Sequence, residues 1–294
     1  MRKIEIIGIK LPEVKVGDRI AELILEELNR EGIPLKDGDV VVITSKVVSK
    51  AKGYLEKISN MKISLKSKII AKITGKPSWL VEVIRRHSCK IVATVEISDI
   101  VGEVVSKCAI SKYKGLKLVK RDKSILLTKM PFKLVLSDGG IDQSNVAPGY
   151  VSYLPPDPDV EARSIKEELE SLTGKRVAVV ITDTEVSISK LGSVDVAIGS
   201  SGIDPVDRRF AESDLYGKPK FGGMDIVVDE VAAAAALIMK QGAQGYPVVI
   251  VRGLEYKARD DVGVKDIALS DSIVKRKVLS VVIRNAFLKF FRLL

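Results

Sequence analysis

Three short segments carry polar side chains where a pure core would have none. Thr44-Ser45-Lys46-Val47-Val48-Ser49-Lys50 follows directly on an apolar run. Hydroxyls and ammonium groups at a strand end suit phosphate oxygens, although an ordinary solvated strand exit has the same composition. Gly139-Gly140-Ile141-Asp142-Gln143-Ser144-Asn145 contains two glycines that permit a tight turn presenting Asp142 and Asn145 into a cleft. An Asx-type turn at the surface is the other reading. Ile181-Thr182-Asp183-Thr184 ends a second apolar run with a carboxylate and two hydroxyls. Open α/β sheets take ligands at the carboxyl ends of strands. Carboxylate plus hydroxyl is also an ordinary Mg²⁺ set when phosphates and water complete the octahedron. The alternative is that Asp183 caps the next element.

Other chemistries are excluded by what is missing. Gly75-Lys76-Pro77-Ser78 has no glycine at the distance a P-loop requires, and Pro77 follows its lysine, so it is not a Walker site. No GxGxxG follows a strand candidate. The single histidine, His87, rules out sites needing two or three. Cys89 and Cys108 have neither CxxC nor zinc spacing. Any metal would therefore have oxygen ligands, which points to Mg²⁺ or Mn²⁺. The two cysteines are expected to be a buried pair of reduced thiols, as in a cytoplasmic protein.

The elements that must position these segments come from a chain of 294 residues, 46% hydrophobic and 29% charged, enough for one large domain or two ordinary ones. Residues 51–150 hold 19 basic and 8 acidic groups, a net of +11; residues 151–250 hold 10 and 16, a net of −6. The basic block could attract phosphates; solvated lysines are the plainer reading. With 5% aromatics and no zinc spacing, no nucleic-acid module is expected. No apolar run reaches the roughly 18 residues of a membrane span, and Glu5 and Lys10 interrupt the opening, unlike a signal peptide. The segment 278–294, apolar at helical spacing, is expected to be a docked terminal helix rather than a membrane-surface one.

Strands are expected over 3–9, 40–44, 91–95, 116–119, 124–127, 133–136, 176–181, 194–198 and 247–251. Helices are expected over 20–28, 77–86, 160–172 and 225–239. The class is α/β (mixed α+β), with two interleaved lobes. The division is set near residue 175, the segment 245–294 packing back on the first lobe and 176–244 forming the second.

In order along nearly the whole chain, the sequence resembles the coenzyme F420-0:γ-glutamyl ligase family. The resemblance rests on Leu11-Pro12 with Gly17-Asp18, Gly38-Asp39 before Val47-Val48-Ser49-Lys50-Ala51, and Gly140-Ile141-Asp142 with Ser144-Asn145-Val146. It continues through Leu154-Pro155 with Asp157-Pro158-Asp159, Thr182-Asp183-Thr184, and Gly192 before Val196-Ala197-Ile198-Gly199. Asp214-Leu215-Tyr216-Gly217, Asp229-Glu230-Val231-Ala232 and Pro247–Gly253 complete it.

The resemblance implies an intertwined, two-lobed homodimer that uses GTP and a divalent metal to join L-glutamate to a deazaflavin precursor through an acyl phosphate. It implies Asp142 and Asp183 as catalytic ligands of one Mg²⁺ or Mn²⁺, with Thr184 and Gln241 on a second. Leu11, Pro12, Glu13, Val14, Ser45, Lys46, Lys50 and Asn145 would line the guanine nucleotide. Met239, Lys240, Gln241, Gly242, Ala243, Gln244, Gly245 and Tyr246 would form a loop over it. Dependence on K⁺ is left open, and neither nucleic acid nor membrane is an expected partner.

The sequence also departs from the family pattern. After the Asp-Thr pair the pattern expects Gly-Arg and then Trp-Arg, whereas residues 185–191 hold only Lys190 as a basic group and no tryptophan. Asp138 stands for a usual Asn, Lys52 for a glutamate, and Arg208-Arg209-Phe210 for an Arg-Gly pair. Lysine does not replace an arginine fork on phosphate or carboxylate. Two further readings therefore stand beside the leading one: a ligase for a different carboxylate, or a silent nucleotide-binding protein.

Overall fold

The computed structural model describes residues 2–187 and 190–270. Strand β1 (Glu5–Ile9) leads to α1 (Ile20–Glu31), β2 (Val40–Thr44), α2 (Ser45–Lys52) and β3 (Leu55–Lys57). Helices α3 (Leu65–Thr74) and α4 (Ser78–His87) precede β4 (Lys90–Glu96). Helices α5 (Ser98–Cys108) and α6 (Lys112–Arg121) precede β5 (Ser124–Lys129) and β6 (Val135–Ser137). The chain returns through β7 (Tyr150–Ser152), α7 (Pro158–Thr173), β8 (Ala178–Val186) and β9 (Ser193–Ser201). It continues in α8 (Val227–Met239), β10 (Val248–Arg252) and a short α9 (Val264–Ile267).

The uninterrupted apolar runs become the centre of a five-stranded sheet of order β1-β10-β2-β8-β9. Only β2 and β8 run parallel, in register from Val40 with Ala178 to Thr44 with Thr182. Both faces are covered, which is why these strands show no polar alternation. Val41, Ile43, Val179, Ile181 and Ile250 join Ile24, Leu28, Ala162 and Leu169 of α1 and α7 in one core. Val40, Val42, Val180 and Val249 join Val228, Val231 and Ala235 of α8 in the other. The alanine run of α8 supplies the thin face such a layer needs. Among the described residues no helix is long and apolar enough to cross a membrane.

A separate three-stranded sheet, β4-β5-β6, packs with α3 and α4 around Ala71, Leu80, Val81, Ile84 and Leu126. The mixed α/β class follows. The division drawn near residue 175 falls inside the large sheet, because β2 and β8 pair along five positions across it. The unit with its own core lies instead between α3 and β6.

Two local expectations are corrected. Residues 116–119 belong to helix α6, not to a strand. A four-residue apolar run does not distinguish the two periods, and Gly115 lets α6 approach Val105 and Ala109 closely. Cys89 and Cys108 are exposed, not a buried pair: Cys89 lies in the link between α4 and β4, and Cys108 is the last residue of α5. The helix expected over 278–294 lies outside the described residues.

Candidate active site

A cavity of about 930 Å³ opens at the carboxyl ends of β2 and β8. The segment read as a strand exit is the last residue of β2 and the first six residues of α2. Val47, Val48 and Ala51 are buried against the core, which leaves Ser45, Lys46 and Lys50 on the cavity wall. Lys46 and Lys50 are one helical turn apart and share a face.

The second segment enters as a turn in which Asp138, Gly139 and Gly140 all have positive φ, at 50°, 62° and 63°. Lys76, whose side chain is fully buried, holds the turn's first residue. Its ammonium lies 2.8 Å from Asp138 and 2.7 Å from Asp122, and Asp138 accepts the Leu126 amide at 2.8 Å. Burial raises the Asp138 pKa despite Lys76 beside it. A Cβ on Gly140 would stand 2.4 Å from Leu154 Cδ1 and 2.9 Å from Asp183 Oδ2, so a side-chain-free residue is required there.

Asp142 is then pinned by a mutual backbone pair with Ser152, at 3.1 and 2.9 Å. Its carboxylate accepts Lys46 Nζ at 2.5 Å, Ser144 N at 2.6 Å and Ser144 Oγ at 2.8 Å. Burial alone would raise its pKa; the Lys46 charge and these hydrogen bonds outweigh it and hold the group below the usual carboxylate range. Asp183 behaves oppositely. Burial, with the charges of Glu185 and Asp142, pushes it up to about 7 against the hydrogen bond from Ser45 at 3.0 Å. The neighbouring Glu185 carboxylate is tied up by the Ser137 amide at 3.0 and 3.1 Å.

A register shift between Ile181 and Thr182 re-aims the end of β8. Successive strand residues point to opposite faces: Asp183 meets Ser45 of α2, while Thr184 donates to Asp195 of β9 at 2.7 Å. Gln241, beyond α8, donates its amide Nε2 to Ser193 Oγ at 3.0 Å. The loop after α8 begins with Lys240 at φ 56°. Asn145 bridges to it by donating to the Gly242 carbonyl at 3.4 Å.

The structure therefore brings Asp142, Asp183, Thr184 and Gln241 to one cavity. Leu11, Pro12, Glu13, Val14, Ser45, Lys46, Lys50 and Asn145 line it too, with Met239 to Ala243, Gly245 and Tyr246. Gln244 is not on the wall; it folds against Gly242 instead. The donor set is carboxylate, hydroxyl and amide oxygen, which fits a hard cation. Among the described residues no group of three or more His, Cys, Asp or Glu could hold a metal ion. A cation here would need oxygens from its substrate to complete its shell.

Sequence reasoning missed Asp195 and Ser193, although polar residues two apart on a strand share a face and were a usable signal. It also missed the pairing of Lys76, dismissed as a P-loop fragment, with Asp138, noted as a departure. Three other departures pair with carboxylates off the cavity wall: Lys52 meets Glu161 at 3.2 Å, Arg208 meets the buried Asp204 at 3.7 Å, and Arg209 meets Asp207 at 3.0 Å.

Residues 8–253, from within β1 to the end of β10, match the family model described as F420-0:γ-glutamyl ligase. The chain is 38% identical over 264 residues to the coenzyme F420:L-glutamate ligase of Methanothermobacter thermautotrophicus, covering 89% of this chain and 94% of the relative. It is 35% identical to the enzyme of that name from Archaeoglobus fulgidus, with 83% and 85% covered. For the one from Methanocaldococcus jannaschii the values are 33%, 86% and 88%. Every segment that lines the cavity lies within the matched span, and the chain belongs to the F420-0:γ-glutamyl ligase family.

Proposed function

We propose that the chain joins L-glutamate to the free carboxylate of coenzyme F420-0, converting GTP to GDP and phosphate. The relatives' names supply coenzyme F420 and L-glutamate, and the family description supplies F420-0. The observation that carries the reading is the meeting, in one cavity, of Asp142, Asp183, Thr184 and Gln241 with residues 11–14, Ser45, Lys46, Lys50 and the loop after Met239.

A carboxylate is too poor an electrophile to accept an amine directly. Its oxygen attacks the γ-phosphorus of GTP, the bond from that phosphorus to the β,γ-bridging oxygen breaks, and GDP leaves. The glutamate nitrogen then attacks the acyl carbon of the resulting acyl phosphate. The carbon–oxygen bond to phosphate breaks, and the nitrogen loses a proton to the departing phosphate or water. No protein nucleophile is required, and among the described residues the cavity wall holds no His or Cys.

The first turn of α2 faces the cavity, and its free N–H groups and dipole favour phosphate. Lys46 and Lys50 add charge on the same wall, and positioning in line does most of the remaining work. Mg²⁺ or Mn²⁺ on Asp142 and Asp183, and a second ion on Thr184 and Gln241, would neutralise phosphate charge.

One observation favours a different carboxylate as acceptor. Only Lys46, Lys50 and Lys240 bring positive charge to the cavity wall, and no arginine does so among the described residues. The arm between Asp207 and Asp225, closed by backbone bonds at 2.9 and 2.7 Å, exposes Phe210, Leu215, Tyr216 and Phe221. Such a patch supports a homodimer, which light scattering would detect.

The test is turnover of GTP with Mn²⁺, L-glutamate and F420-0, followed by GDP release and the mass of the product. Asp183→Asn should lower turnover at least about a hundredfold. GTP binding without product from F420-0 would transfer the reading to another carboxylate. Absence of GTP binding would remove both.

A further inference from the structure

The two oxygens expected to hold the second cation, Thr184 Oγ1 and Gln241 Oε1, come from different elements, yet one strand face governs both. Ser193 and Asp195 are two apart on β9 and therefore project from the same side. Asp195 faces Thr184 directly across the β8–β9 ladder and takes its hydroxyl proton at 2.7 Å. Ser193 takes the amide proton of Gln241 at 3.0 Å.

Each contact engages the donor end of its partner. With its proton held by Asp195, the Thr184 oxygen keeps its lone pairs for the cavity. With its NH₂ held by Ser193, Gln241 can present only its carbonyl oxygen. Without these contacts, the hydroxyl rotates freely and the amide can turn its NH₂ towards a cation, which repels it. Asp195 is buried at 7% exposure and lines the cavity, so it is placed to act on Thr184 rather than on solvent.

We infer that Ser193 and Asp195 are positioning residues that orient Thr184 and Gln241 as oxygen donors for a second divalent cation. The inference rests on the proposed metal-dependent function and adds residues to it. Partners that orient a metal ligand typically contribute about 10- to 100-fold in affinity. Asp195 needs only an acceptor oxygen for this role, so Asn at that position should serve nearly as well, and Leu should not.

The experiment is a titration of the full chain with Mn²⁺ in saturating GDP, following free Mn²⁺ by electron paramagnetic resonance. Wild type should bind two ions. Asp195→Leu and Ser193→Ala should weaken one of the two by about 10- to 100-fold and leave the other within about threefold. Asp195→Asn should restore the second ion to within about threefold of wild type. Ser193 is exposed, so Ser193→Ala tests the inference even where Asp195→Leu fails to fold.

Two ions bound with unchanged affinities in Ser193→Ala would overturn the inference alone. So would an Asp195→Asn loss as large as that of Asp195→Leu, which would make Asp195 a charged ligand. No Mn²⁺ bound by wild type would overturn the proposed function and this inference together.

Discussion

Gly139 and Gly140 provide a matched pair of substitutions. Both have φ near +62°, so alanine at either carries the same left-handed penalty of about 1–2 kcal/mol. Their surroundings differ. A Cβ on Gly139 would meet Thr128 Oγ1 at 3.4 Å and Met130 Sδ at 3.6 Å, which is ordinary contact. A Cβ on Gly140 would meet Leu154 Cδ1 at 2.4 Å and Asp183 Oδ2 at 2.9 Å. To reach the same 3.4 Å, Leu154 must retreat by about 1 Å and the Asp183 carboxylate by about 0.5 Å.

Leu154 belongs to the main core, and forced repacking there costs about 1–3 kcal/mol more. The totals are about 1–2 kcal/mol for Gly139→Ala and about 2–5 kcal/mol for Gly140→Ala. At about 2–4 °C per kcal/mol, calorimetry should find Tm lowered by roughly 2–8 °C and 4–20 °C respectively. The displaced Asp183 should also weaken Mn²⁺ binding in the presence of GDP by about tenfold or more in Gly140→Ala only, as ligand misplacement does. Equal losses for the two variants in both assays would refute the claim that the turn is packed against the Asp183 carboxylate.

Lys76→Met should remove the buried cation shared by Asp122 and Asp138, lowering stability, by less than the roughly 3–5 kcal/mol of a fully buried pair because both carboxylates are partly exposed. Because burial already raises the Asp138 pKa, that unpaired carboxylate is relieved as pH falls through its folded pKa; a thermal-scan deficit that does not shrink in acid would contradict this. Glu82 titrates the other way. Its burial opposes ionisation, but the Ser64 hydroxyl and amide, with Arg86, hold its pKa near 2. Its contribution should be complete above about pH 4.5 and lost towards pH 2, so the Tm gap between wild type and Glu82→Gln should close over that interval. Ser45→Ala, by removing the hydrogen bond that favours charged Asp183, should shift the pH midpoint of Mn²⁺ binding upward; an unchanged midpoint would discount Ser45.

Elements with strong local signals were legible before the fold. The run Val40–Thr44 is a strand over those same residues. The Pro-rich acidic loop before residue 160 becomes a capped helix start, with Asp157 accepting the Val160 amide and Gly174 closing the far end. The 116–119 run failed because it is short, and Cys89 and Cys108 because burial depends on which face an element presents. In the site, Ser45, Lys46, Lys50, Asp183 and Thr184 could be named because they follow apolar strands and Asp142 because it follows a Gly-Gly turn, whereas Gln241 came only from the family resemblance. The Thr184–Asp195 pair could not, since it depends on a ladder register that shifts beside Ile181.

What the sequence alone determined is the chemistry available: oxygen donors and lysines at strand ends, one histidine, no zinc spacing, and strands apolar enough to be covered on both faces. The tertiary structure decided which of these groups meet. Lys46 reaches Asp142 across 96 residues and Ser45 reaches Asp183 across 138. Such contacts depend on strand register and on how distant segments close onto one sheet. Side-chain type and periodicity are properties of a residue and its near neighbours, whereas register is shared between strands far apart in the chain.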